Sequence, residues 1–512
     1  MSKISIGKIL SKAISKEAVF FLLCLIAGLI LRLYFMWHMP FTNDEGAYLY
    51  DAKTLLEGRL PGGDVLTKSP VAIILFSFFA WVTHGSLYAA RLVSLFFSLA
   101  TLAPILAMVF VWQKKNWPIA TAVWLIFSAP VVLTGFGHTE AVACFFAGSA
   151  LALFVVAFFR KNLCWLAALS GISFVLALGA RKINLVLIIP LLIFVLQKHN
   201  DRKSRNKIIV LFLAGLLTAG IPLCAFVFGL YGWDGIQEFV GLGYVNIASH
   251  RITGNANVDI WGLNILETLK IIARVATAHV VLGLLAIISV VAMLISRKRK
   301  TPDNPIWVLA AWLGVLVLLY SVWPTFLPDY AVDFLLPVTL LGVFVVGGLW
   351  GCCSLVSKAI IVGCFLALNI LSYSSIIKTP WTGMFDSDGT KKMAAIMQEM
   401  IPAKEAVLTA ATIVPYLSGH HTYYDISHPL WYRYEFISEK EKGIFLPPWD
   451  KVSSDVRQGN VKWILMEHLT DYAYFRNTDQ LINLINQDWE LVATVPNNTG
   501  FRSNTLKLYK IK

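Results

Sequence analysis

Charge is scarce in this chain. Only 14% of its 512 residues are Asp, Glu, Lys or Arg, while 57% are hydrophobic and 13% aromatic. With a mean hydropathy of +0.68, that composition excludes a water-soluble domain of this size and puts the bulk of the chain in lipid. Cysteine is also sparse and badly placed for cross-links: Cys24, Cys144, Cys164, Cys224, Cys352, Cys353 and Cys364 all fall in apolar stretches, so no disulfide framework is implied. No glycine-rich nucleotide motif, internal repeat or low-complexity linker occurs. The first apolar run, near residues 18–36, follows Lys3, Lys8, Lys12 and Lys16. It is long enough to cross a bilayer and no small-x-small cleavage pattern follows it, so it reads as an uncleaved span rather than a signal peptide.

The formal charge of +13 does not indicate nucleic acid, because it is unevenly distributed. Residues 377–512 hold 15 basic and 15 acidic side chains, which leaves 28 of the 43 basic residues against 15 of the 30 acidic ones in residues 1–376. That excess has a topological cause. Apolar runs of spanning length lie near 18–38, 88–112, 117–134, 141–159, 163–180, 183–197, 207–230, 272–296, 306–323, 332–350 and 355–376, about eleven spans in all. A further run near 71–84 has only about fourteen residues, which suits an interfacial or re-entrant helix better than a crossing. With that run excluded, 18 of the 28 basic residues fall on one side, together with only Glu17, Asp201 and Asp303 as acids. The positive-inside rule makes that side the cytoplasm and places the N-terminus there. An odd number of spans then puts the polar tail outside.

Two domains are expected: a transmembrane unit over residues 1–376 and a small extracytoplasmic α/β unit over 377–512. In the tail, helical spacing over 391–400, short apolar strands at 406–411 and 463–466, an amphipathic segment at 479–489, and a terminal hairpin of 491–495 with 506–511 around the turn-rich stretch 496–500 are the elements read from pattern.

The first external loop, 39–87, is too long for a connector. In Thr42-Asn43-Asp44-Glu45, Asn43 is the expected N-cap of a helix that Gly58 stops, which puts Asp44 and Glu45 in a first turn. Carboxylates are favoured there by the helix dipole whatever their function. Lys68, in Thr67-Lys68-Ser69-Pro70, reads either as a headgroup-snorkelling lysine or as a phosphate ligand. Glu140 stands at the outer edge of the fourth span beside His138, where an acid needs water or a partner. Arg181 and Lys182 end the fifth span on the side that usually avoids cations, a violation that points to a bound anion, with headgroup anchoring as the alternative. Arg32 and Arg91, inside the first and second spans, must face partners or a polar cavity. Asp329, Tyr330 and Asp333 lie at the external junction of spans nine and ten, with Tyr330 equally suited to an aromatic belt. Outside the cytoplasmic loops, residues 1–376 hold only ten basic and twelve acidic residues, and many sit at span edges on one face. Such a site fits a substrate with a phosphate and an apolar tail: cations bind the phosphate, lipid accepts the tail, and a carboxylate deprotonates an incoming hydroxyl.

The series Asp44-Glu45-Gly46-Ala47-Tyr48, Leu55-Leu56-Glu57-Gly58, Lys68-Ser69-Pro70 and Ala90-Arg91-Leu92 resembles the GT-C fold glycosyltransferases, in particular the protein O-mannosyltransferase and lipid A aminoarabinose transferase group. Two departures stand out: Lys-Ser-Pro replaces the group's Lys-Pro-Pro, and Arg181-Lys182-Ile183-Asn184 replaces its usual Lys-Gly-Pro. The resemblance implies a mostly α, polytopic membrane protein of about eleven spans with juxtamembrane helices and a small extracytoplasmic α/β domain, in the cytoplasmic (inner) membrane. It implies transfer of a sugar from a polyprenyl-phosphate donor to a hydroxyl of a glycan, lipid or protein acceptor on the outer face, usually with inversion. Asp44 would be the base or acceptor-orienting carboxylate, with Glu45 and Glu140 shaping the site; Lys68, Arg91, Arg181 and Lys182 would hold the donor phosphate; Tyr48, His138, Tyr330 and Asp333 would line the cavity. The resemblance implies no certain cofactor; some members use a divalent metal at paired acids, which here would be Asp44 with Glu140. A transporter or flippase of lipid-linked sugars is the rival function. Transporters place charged and helix-breaking residues near mid-membrane, often in repeated halves, and neither is evident in the sequence. A non-catalytic scaffold is the second rival, and it leaves Asp44, Lys68 and Arg181 on one face without a reason.

Overall fold

Backbone polar groups in lipid must be satisfied within the chain, so long apolar runs become helices. The computed structural model describes residues 16–62, 66, 69–197, 202–240, scattered positions between 280 and 291, 305–322, 331–350, 354–378, 385–427, 449–467, 485, 488–498 and 503–512. In chain order the helices of the first part are α1 (Lys16–His38), α2 (Asn43–Leu56), α3 (Pro70–Val82), α4 (Ala89–Ala100), α5 (Leu102–Gln113), α6 (Trp117–Ile126), α7 (Ser128–Leu133), α8 (Thr139–Phe159), α9 (Leu166–Ala180), α10 (Ile188–Gln197), α11 (Arg202–Phe239), α12 (Pro305–Val322), α13 (Val332–Trp350) and α14 (Leu355–Lys378). By length and composition alone, five apolar stretches among the described residues are long enough to cross a membrane, and five shorter apolar helices of 10–17 residues accompany them. The expected spans correspond to these helices, except that the run near 272–296 lies largely outside the described residues. The short run near 71–84 is α3, of 13 residues.

Three local features shape the bundle. Thr101 keeps helical angles (φ −60°, ψ −20°), so α4 and α5 form one rod, which ends where Gln113 (φ −152°, ψ 69°) turns the chain back. The third span is broken at Phe127 (φ −69°, ψ 143°), which separates α6 from α7. A helix end inside lipid strands its last carbonyls, and here side chains take them: Arg32 donates to the carbonyls of Leu125 (2.8 Å) and Trp124 (2.9 Å), and Tyr373 (2.8 Å) and Asn369 (3.3 Å) of α14 donate to that of Ile126. The expected partner of Arg32 is thus a broken helix end together with the Ser98 hydroxyl (2.7 Å). In the third feature, α9 and α11 touch backbone to backbone: a Cβ on Gly171 would lie 2.2 Å from the Phe212 carbonyl oxygen, and one on Gly215 would lie 1.9 Å from that of Ala168.

After α14 come α15 (Ser387–Met400), β1 (Ala406–Leu408), α16 (Ile413–Ser418), β2 (His421–Thr422), α17 (Trp449–Arg457), β3 (Trp463–Met466), β4 (Trp489–Asn498) and β5 (Ser503–Ile511). The sheet order is β2-β1-β3-β5-β4, with β1 parallel to β2 and β3, and β5 antiparallel to β3 and β4. The terminal hairpin forms, but β4 runs on through Pro496 to Asn498, past the expected turn. Proline is tolerated there because β4 is an edge strand. The expected helix at 479–489 lies mostly outside the described residues. Helices α16 and α17 are additions that the sequence pattern did not signal.

The sheet shares one apolar core with the segment between α1 and α4. Val407, Trp463, Leu465, Leu506 and Leu508 cluster with Phe41, Ala47 and Leu49 and with Ile73 and Phe76 of α3. Phe41 and Phe385 exchange backbone hydrogen bonds of 2.8 and 2.7 Å. A Cβ on Gly46 would lie 2.8 Å from the Ile413 nitrogen, so α16 rests directly on α2.

Gly215→Val should drive α9 and α11 apart and cost about 2 kcal/mol or more by overpacking. Gly229→Ala on the same helix, where an added Cβ meets nothing within 4 Å, should be neutral or slightly stabilising. Thermal unfolding of the two purified variants in detergent measures the difference.

Candidate functional site

The site is built on the head of α2. Its N-cap is Thr42, one residue earlier than expected, with Asn43 the first helical residue. The Thr42 hydroxyl accepts from the Glu45 N–H (3.1 Å) and Glu45 Oε2 accepts from the Thr42 N–H (2.8 Å), a reciprocal capping box. Gly58, at φ +71°, follows the C-terminal end as the sequence indicated. Asp44 sits half-buried in the first turn and Tyr48 one turn further on.

Glu45 is fully buried and saturated. Besides the cap it accepts from Arg91 Nε (2.6 Å) and Nη2 (2.9 Å), and from the Gly137 N–H (2.7 Å). Arg91 spends its remaining donors on the carbonyls of Met36 (2.7 Å), Met39 (2.8 Å) and Pro40 (2.8 Å), and lies 4.1 Å above the Phe41 ring. Its five N–H groups are all taken, so an Arg91 expected at a phosphate is found tying the end of α1 to the head of α2. Burial by itself would raise the Glu45 carboxyl; the Arg91 charge and hydrogen bonds, aided by His138 and the Thr42 N–H, outweigh it and hold the group below the usual carboxylate range.

From the cap a polar chain runs through the other expected residues. His138 Nε2 lies 2.7 Å from the Thr42 hydroxyl, and its Nδ1 lies 3.7 Å from Glu140 Oε2. Glu140 Oε1 accepts from Arg181 Nη1. Arg181 Nη2 donates to Asp333 Oδ2 (3.1 Å), which also accepts from the Tyr320 hydroxyl. These side chains come from the first turn of α8, the C-cap of α9, the end of α12 and the first turn of α13, all at one end of the bundle. Tyr48 packs edge-on to His138, with ring centroids 6.1 Å apart. Lys182, next to Arg181, donates to the Glu238 carbonyl near the end of α11. Lys68, Asp329 and Tyr330 lie outside the described residues; within the loop that carries Lys68, the Leu66 N–H donates to Asp51 of α2 (3.1 Å). Glu140, named with Asp44 for a metal, is bound to Arg181, and among the described residues no group of three His, Cys, Asp or Glu side chains is placed to hold an ion.

Sequence reasoning missed two groups. Tyr320 gave no signal beyond an aromatic at a span edge. The clasp between the first loop and the tail joins partners more than 360 positions apart: Asp425 Oδ1 accepts from Tyr50 (2.9 Å) and from Arg59 Nη1 (2.8 Å), and the Tyr50 oxygen accepts from the Thr422 N–H (2.9 Å). Burial, with the Asp425 charge beside it, pushes the Tyr50 hydroxyl up to about 12, so it remains a donor.

By sequence the chain matches no protein-family model and no curated protein. By structure it is similar to ArnT from Cupriavidus metallidurans bound to undecaprenyl phosphate, with a TM-score of 0.63 and 12% identity over 98% of both chains. It is also similar to the Archaeoglobus fulgidus oligosaccharyltransferase in its apo form (TM-score 0.57, 11% identity, 88% of this chain and 69% of that one). A third likeness is to the archaeal oligosaccharyltransferase AglB of the same organism with an inhibitory peptide and a dolichol-phosphate (TM-score 0.55, 12% identity, 87% and 69%). These likenesses establish the polytopic GT-C fold.

Because the folded-state carboxyl of Glu45 is depressed, its stabilisation is complete above the unfolded-chain value of about 4.3 and is lost as pH falls through the lower folded value. Glu45→Gln strands the Arg91 charge and should cost about 3–5 kcal/mol at neutral pH. Unfolding midpoints of wild type and Glu45→Gln should converge as the medium is acidified below about pH 4.

Proposed function

We propose that the chain is a glycosyltransferase that moves a sugar from a polyprenyl-phosphate donor to an acceptor hydroxyl at the outer face of the cytoplasmic membrane. The N-terminus is cytoplasmic; residues 1–376 form the membrane catalytic unit, and residues 377–512 form an extracytoplasmic unit that closes over it. The observation that carries the proposal is the polar chain Thr42–His138–Glu140–Arg181–Asp333, which leads from the acidic first turn of α2 to a buried guanidinium at one end of the bundle. Support comes from the fold, shared with a protein solved with undecaprenyl phosphate and one solved with dolichol-phosphate.

In the proposed reaction Asp44 orients the acceptor hydroxyl and takes its proton. The hydroxyl oxygen attacks the anomeric carbon from the face opposite the phosphate, forming the new C–O bond as the bond to the phosphate oxygen breaks, with inversion. The leaving polyprenyl phosphate keeps the electron pair and is stabilised by Arg181 and Lys68. Lys182, beside Arg181, adds positive potential. Glu45 and Arg91 hold the loop, while Tyr48, His138 and Tyr330 border the space for the sugar. The isoprenoid tail stays in lipid, where its transfer costs no desolvation.

Asp44→Asn keeps the size and helix position of the side chain but removes the base. In reconstituted membranes with a polyprenyl-phosphate sugar and cell-envelope acceptors, transfer should fall by about 100-fold or more at unchanged unfolding midpoint. Retained turnover would remove Asp44 from this role.

A further inference from the structure

Arg181 is the cation that the proposed reading gives to the donor phosphate, yet it is already claimed twice. Its Nη1 holds Glu140 and its Nη2 holds Asp333, 3.1 Å away. The arginine side chain is 12% exposed and the two acids 5% and 6%. Among the described residues, Arg181 faces two carboxylates, and His138 Nδ1 lies 3.7 Å from Glu140. A phosphate anion arriving here would compete with both carboxylates for the Arg181 guanidinium, and like charges crowded in a poorly solvated site repel one another. The acid that yields the guanidinium at least cost is the one the phosphate displaces.

The geometry selects which one. Glu140 Oε2 is buried and accepts no hydrogen bond, so losing Arg181 would leave this carboxylate with only the 3.7 Å approach of His138. Asp333 has a second donor, since the Tyr320 hydroxyl binds the same Oδ2 that Arg181 binds. Both acids sit in the first turn of a helix, Glu140 in α8 and Asp333 in α13, so the helix N-terminus favours each alike and the Tyr320 hydroxyl is what separates them. Asp333 can release Arg181 without being stranded, whereas Glu140 cannot.

Building on the donor-phosphate reading of this site, we propose that Asp333 is a placeholder for the phosphate: its carboxylate occupies Arg181 in the empty enzyme, the polyprenyl-phosphate head displaces it onto Tyr320, and the competition sets donor affinity. Glu140 stays on Arg181 throughout and aims it. Asp333 is thus a positioning residue with an inverse signature, because removing its charge improves binding where loss of an ordinary ligand weakens it. The placeholder also keeps the guanidinium satisfied between turnovers and helps expel the spent lipid phosphate by recapturing Arg181.

The test uses the full chain in lipid nanodiscs titrated with undecaprenyl phosphate, with folding checked by unfolding midpoint. Asp333→Asn keeps a hydrogen-bonding oxygen without the charge and should bind the lipid phosphate roughly three- to tenfold more tightly. Arg181→Ala should bind it at least about tenfold more weakly. Tyr320→Phe, which removes the group that receives the displaced carboxylate, should bind it a few-fold more weakly than wild type, and this variant decides the matter if Asp333→Asn does not fold. Unchanged or weaker binding by a folded Asp333→Asn, alongside weakened Arg181→Ala, would overturn the placeholder while leaving the phosphate reading in place, as would unchanged or tighter binding by Tyr320→Phe. Wild-type affinity in Arg181→Ala would instead remove the phosphate role of the site and the placeholder with it.

Discussion

The end of the bundle that carries the candidate site depends on one buried ion pair. Arg91 and Glu45 lie 2.6 Å apart at about 1% exposure, and between them they satisfy the carbonyls that α1 leaves behind, the N-terminal N–H of α2 and the N–H of Gly137. Four pieces of chain converge there: the end of α1, the head of α2, the start of α4 and the turn that leads into α8. The Asp44 carboxylate and the His138 ring inherit their positions from this knot. Its Coulombic gain is offset by desolvation, so its contribution is geometric definition more than net stability.

The α6–α7 break shows the same economy in a different place. A discontinuous helix inside a membrane is a hallmark of transport sites, where freed backbone groups meet a substrate or ion. Here Arg32, Asn369 and Tyr373 occupy those groups from within the protein, while Ser372 accepts from the Ser128 hydroxyl, and α14 is held to the bundle by that polar patch while most of its surface stays exposed. The break therefore serves to attach the helix that leads to the tail, and the transporter reading draws no support from it.

Much of this was legible in the sequence because lipid imposes a strong code. Span positions followed from hydropathy, and the concentration of chemistry at one end followed from the distribution of charge. Arg181 stood out because a cation on the outer side opposes the usual trend, and the structure gives it two carboxylate partners. Glu45 and Glu140 were legible as members of the site, but not that the first would be consumed by Arg91 and the second by Arg181, since ion-pair choice depends on distances that residue spacing does not encode. The Thr42 cap was misread by one residue because Asn and Thr are both good caps and only the capping-box partner separates them. The Tyr50–Asp425–Arg59 clasp and the sheet order were illegible: they join segments hundreds of positions apart, and no periodicity reports such a pairing. The Lys68 and Tyr330 expectations fall outside the described residues.

The apolar core shared by the sheet and the segment between α1 and α4 carries a consequence for how the protein is made. Phe41 and Leu49 are synthesised well before Leu506 and Leu508, which pack in the same cluster. The earlier segment cannot bury its apolar side until the sheet that follows the membrane helices has been made. A nascent polypeptide thus displays the acidic helix without its cover, so that end of the bundle matures only once the sheet has folded onto it.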